Sequence, residues 1–130
     1  MTPAQREKFD RELDRVMSEL PPLVTQLLDQ VPLVVDDHPS PHILHKLGLT
    51  DRRELCGLYQ GIPLTKRSVE QSGVPSDTIH IYREGILHLA SSHSPHSLAE
   101  LRRQIRITIL HEVGHHFGLE ESDLEDVGYG

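Results

Sequence analysis

The chain has 130 residues, 36% of them hydrophobic, 25% charged and only 4% aromatic, with no Trp. Such a length is most simply one domain, residues 1–130, with a core built on Leu, Ile and Val. A formal charge of −7 argues against nonspecific nucleic-acid binding, and the single cysteine, Cys56, excludes an internal disulfide.

The stretch "MTPAQREKFDRELDRVM" lacks the apolar centre of an export signal, and no apolar run is long enough to span a bilayer. A soluble cytoplasmic protein is therefore expected. The basic pairs Arg52–Arg53 and Arg102–Arg103 read as solvated faces.

Thr2, Pro3 and Gln5 form a capping-box start for a first helix, along which Phe9, Leu13, Val16 and Leu20 recur at helical spacing. "LPP" at 20–22 ends it and can start a short second helix carrying Leu23, Val24, Leu27 and Leu28. "VPLVVDD", 31–37, reads as a buried strand whose Pro32 favours a strand start or sheet edge.

A proline-marked loop and a short helical turn follow, closed by Gly48. "CGLYQGIPLT", 56–65, suggests a strand or hairpin with Gly57 and Gly61 at tight points, and "KRSVEQSGVPSD" reads as a loop. "TIHIYREGILHLA", 78–90, begins as a strand with Ile79 and Ile81 on one face and His80 and Tyr82 on the other, and "SSHSPHS" breaks it.

A long helix comes next. Ser97 and Glu100 give a second capping box, and Leu101, Ile105, Ile109 and Val113 make its apolar stripe. Leu110, Ile107 and Phe117 cover other faces, so its C-terminal half is expected to be buried, with Gly118 as a left-handed stop.

This helix carries "HEVGHHFGLEESD", 111–123. His111 and His115 are four residues apart, so their imidazoles stack one turn apart and can share one ion. Glu112, on the adjacent face, can address a water beside that ion. The pattern is HExxH, the helix of zinc-dependent hydrolases. His116 lies roughly 140° around the helix from His111, so it cannot share the ion and reads as bonded to backbone or a side chain.

Only residues 116–130 follow His115, too few for a gluzincin-type third ligand on a separate helix. A turn at Gly118 can instead bring a nearby acid back, in a metzincin-like layout. Counting along HExxHxxGxx selects Glu121, with Asp123 as the fallback. The Met-turn of the metzincins is missing, since Met occurs only at positions 1 and 17. The other histidines, 38, 42, 45, 80, 88, 93 and 96, carry no ligand spacing, and His42 and His45 read as surface residues.

The ordered set "VVDDHP", "LCGLYQGIPLTKRS", "DTIHIYREGI" and "TILHEVGHHFGLEESDLEDVGYG" resembles a family of small, mostly bacterial, zincin-like metallopeptidase-domain proteins, long described as a domain of unknown function. The family pattern HExxHxxGxxD maps onto His111, Glu112, His115 and Gly118, with Glu121 where that Asp would stand. The resemblance implies a compact α+β fold with a small mixed sheet packed on helices and a C-terminal active-site helix.

The expected function is zinc-dependent hydrolysis of short or unfolded peptides, with Zn on His111, His115 and Glu121 and with Glu112 as general base. "TIHIY" reads either as the edge strand that aligns substrate or as a plain core strand, with His80 and Tyr82 as substrate-binding candidates. Tyr82, His80, Arg83 and Tyr129 are candidates to hold the oxyanion. The alternative is a non-catalytic zincin-fold binding or regulatory module, with or without metal.

Overall fold

The computed structural model describes residues 1–61 and 77–118. Its elements, in order, are helix α1 (Pro3–Glu19), helix α2 (Pro22–Leu28), strand β1 (Leu33–Asp36), helix α3 (Pro41–Leu47), a 3-10 turn (Arg52–Glu54), strand β2 (Gly57–Gln60), strand β3 (Thr78–Tyr82), helix α4 (Arg83–His93) and helix α5 (Leu98–His116). A small mixed sheet on a helical layer makes the fold α+β. The expected loop 66–77 lies outside the described residues except for Asp77.

Local chemistry accounts for most boundaries. At α1, the Thr2 hydroxyl accepts from the Gln5 amide and the Gln5 side chain accepts from the Thr2 amide, completing the box. Gly48, at φ 70, closes α3 in the left-handed region. Ser97 caps α5 through the Glu100 amide. The reciprocal half of that second box differs from expectation, because the Glu100 carboxylate accepts from Arg103 and Gln104 instead.

The sheet order is β1-β3-β2, with β1 parallel and β2 antiparallel to β3. Ile79 and Ile81 of the central strand are fully buried, and they join Phe9, Leu13 and Val16 of α1 and Leu101, Ile105 and Ile109 of α5 in one core. Each such side chain contributes about 1.5–3 kcal/mol on full burial. α5 packs against α1, α4, β2 and β3, which makes it the axis of the molecule.

Three expectations change. The segment after Tyr82 is a helix, not more strand: α4 buries Gly85, Ile86 and Ala90. Phe117 lies past the end of α5 and is exposed. Arg102 is not on a solvated face, because its Nη1 donates at 2.7 Å to the buried carboxylate of Glu12 and ties α5 to α1. Among the described residues, no helix is long and apolar enough to cross a membrane.

Candidate metal centre

Every fourth residue of α5 from Gln104 onward is polar and buried: Gln104, Thr108, Glu112 and His116. One turn of helix separates successive members, so they form a stripe. Thr108 returns its hydroxyl to the Gln104 carbonyl at 2.8 Å, and Gln104 donates to Glu100. The stripe lies along β2. A Cβ added to Gly57 would meet Thr108 Cγ2 at 2.7 Å and Glu112 Cγ at 3.2 Å, so only glycine lets the strand approach this closely.

His111 and His115 are half-buried beside the stripe, with ring centroids 4.7 Å apart and planes at 43°. His115 Nδ1 is 3.9 Å from Glu112 Oε1. Two imidazoles on adjacent turns next to a carboxylate fit a transition-metal ion by donor type. Among the described residues, no three His, Cys, Asp or Glu side chains come together as a metal-binding group. Glu121, Asp123 and Tyr129 lie outside the described residues.

A cavity of about 440 Å³ opens beside this pair, with His111, Glu112 and Thr108 on one wall and Cys56 and Gly57 on another. Burial, aided by the charge of Glu112, pushes the Cys56 thiol up to about 11. Tyr82 is likewise raised by burial first, then by Asp36 and Glu112. Both groups are therefore neutral at neutral pH, so Glu112 has two uncharged neighbours.

His116 takes another direction. Its Nδ1 donates to Asp77 Oδ2 at 2.7 Å, and the Tyr59 hydroxyl donates to the same oxygen at 2.7 Å. The Tyr59 ring stands edge-on to His116, at 74° with centroids 5.9 Å apart. His116 and Asp77 are only 6% and 5% exposed. The sequence reading did not single out Asp77 or Tyr59; the i, i+4 polar stripe ending at His116 is the signal that a buried partner was needed.

Two expectations about substrate contacts are corrected. "TIHIY" cannot present a free edge, because β3 is central and its backbone pairs with β1 on one side and β2 on the other. On it, His80 is half-buried with Nε2 3.3 Å from Thr78 Oγ1, and Tyr82 is buried. Arg83 is committed elsewhere: it grips Asp10 through Nε and Nη2, at 2.9 and 3.2 Å, and Asp37 through Nη1 at 3.1 Å.

The sequence profile of zincin-like metallopeptidases matches residues 28–129, which span β1, the sheet, the cavity wall and the whole of α5. The chain belongs to the zincin-like metallopeptidase family. Such a family implies peptide substrates and is typically zinc-dependent. A comparison with curated proteins finds no match.

Proposed function

We propose that this zincin-like protein is a zinc-dependent peptidase in which His111, His115 and Glu121 hold the ion and Glu112 is the general base. The observation that carries the reading is the position of Glu112: buried on α5, next to the His111–His115 pair and on the wall of the cavity. When bound, zinc supplies Lewis acidity, which brings the pKa of water towards neutrality and draws charge from a carbonyl oxygen.

The chain's own residues do the rest. The Glu112 carboxylate takes a proton from the attacking water and delivers it to the nitrogen of the leaving amine. His111 and His115 would hold the ion from one helix face. Gly57 keeps the space under Glu112 clear, and the neutral Cys56 adds no competing charge.

An extended peptide that adds as a strand would pair with β2 and not β3. Among the described residues β2 is an outer strand, it packs on α5, and Gly57 at its start lines the cavity.

The test is zinc uptake. Purified protein titrated with zinc against a chromophoric chelator is expected to bind one equivalent with a Kd below about 1 μM, and His111→Ala and His115→Ala are each expected to weaken it at least about 10-fold. Failure of the unaltered protein to bind zinc at micromolar concentration would overturn the reading.

A further inference from the structure

Two ligands on consecutive turns of one helix fix an ion only if that end of the helix is itself fixed, to within about 0.5 Å for a functional site. The stripe on α5 shows how this end is held. Glu112 and His116 are one turn apart, and Gly57 and Tyr59 are alternate residues on one face of β2. Glu112 packs over Gly57, and His116 packs against Tyr59. The two contacts set a single register of helix on strand.

The second contact is locked by Asp77, which belongs to neither element and sits just before β3. One oxygen of its carboxylate accepts from the His116 ring and from the Tyr59 hydroxyl, each at 2.7 Å, and joins residues 39 and 18 positions away. Bonds to an ionised acceptor are about twice as strong as neutral ones. The chain is also shaped around this carboxylate. Gly61 has φ +148, and a Cβ there would collide with the Asp77 side chain.

We propose that Asp77, His116 and Tyr59 are positioning residues for the metal centre. By tying the last turn of α5 to β2 and to the start of β3, they hold His115 in line with His111 and keep Glu112 over Gly57. The inference rests on His111 and His115 being the ligands. His116 is thus the anchor of the motif, doing through Asp77 what a ligand cannot do for itself.

The test compares zinc affinity and the visible absorption spectrum of the cobalt-substituted protein in the unaltered chain and in Asp77→Ala, Asp77→Asn and Tyr59→Phe, with circular dichroism to verify folding. Asp77→Ala is expected to weaken zinc binding about 10–100-fold, the range for residues that orient ligands, and to alter the cobalt spectrum. Asp77→Asn keeps an oxygen that accepts from His116 Nδ1–H, and is expected to recover most of the affinity. Tyr59→Phe, which keeps the ring and loses one hydrogen bond, should fall between.

A folded Asp77→Ala that binds zinc within about twofold of the unaltered protein, with the same cobalt spectrum, would overturn the proposal. If Asp77→Ala does not fold, Tyr59→Phe decides: an altered cobalt spectrum supports the lock, and an unchanged affinity and spectrum overturn it. Absence of zinc binding by the unaltered chain is a different result, which overturns the peptidase reading and this inference with it.

Discussion

Gly57 runs beneath Glu112 with no room for a methyl group between them. A Cβ on Gly57 would lie 3.2 Å from Glu112 Cγ, 2.7 Å from Thr108 Cγ2 and 3.1 Å from the His80 carbonyl oxygen. The His80 backbone and the turns of α5 that carry Thr108 and Glu112 close on this one position, so the side chain proposed as base lies directly over strand backbone.

Gly57→Ala should therefore act on both stability and chemistry. Overpacking of this kind costs about 1–3 kcal/mol, readable as a lowered urea midpoint. Because the clash falls on Thr108, the His80 backbone and Glu112, and not on the side chains of His111 and His115, the peptidase rate is expected to drop further than zinc affinity does.

The thiol on the same cavity wall gives a chemical reporter. Thiolate is the reactive form, and a thiol at about 11 is ionised in about one molecule in a thousand at pH 8. Iodoacetamide should alkylate Cys56 far more slowly in the folded protein than in urea, with the folded rate rising steadily towards pH 10. Glu112→Gln removes one cause of the shift and should speed the reaction at pH 8. Equal rates folded and unfolded would contradict this placement of Cys56.

The ion pairs of Asp37, just after β1, with Arg6 and Arg83 make stability depend on pH. The hydrogen bond from Arg6, with help from Arg83, holds the Asp37 carboxyl below its ordinary 3.8. The folded value lies below the unfolded one, so the unfolded chain takes up the proton first as pH falls. The stabilisation is therefore complete above about pH 4–5 and is lost as pH falls through the folded pKa. Asp37→Asn should be less stable than the unaltered protein at pH 7, and the gap in urea midpoints should close progressively below pH 4. A gap that persists at pH 2 would argue against the ion pair as its source.

The sequence showed what depends on short-range periodicity and missed what depends on contacts between distant elements. Phe9, Leu13, Val16 and Leu20 lie in the core as their spacing required, as do Leu101, Ile105, Ile109 and Val113. Gly48 and Gly118 have the positive φ expected of helix stops.

Helix α4 escaped because it carries no start signal. Tyr82 caps it without a side-chain bond, and "ILHLA" is a short apolar run that a buried strand could equally use. Gly85, which argues against a helix by propensity, is there because a Cβ at this position would collide with the Leu55 carbonyl, in another part of the chain. Strand order was hidden for a similar reason: β2 precedes β3 in the chain, yet β3 inserts between β1 and β2.

At the candidate metal centre, local spacing pairs His111 with His115 and turns His116 away. The partner of His116, Asp77, is 39 residues distant, and no periodicity points to it.

The most direct test of peptidase chemistry centred on Glu112 is digestion of a peptide library by the zinc-loaded protein beside its Glu112→Gln variant, with zinc content measured for both. The unaltered protein should cleave a subset of peptides. The variant should keep its zinc and lose at least about 100-fold in rate, the lower bound for removing a general base. No cleavage by the zinc-loaded protein, or equal cleavage by the two, would contradict the proposal.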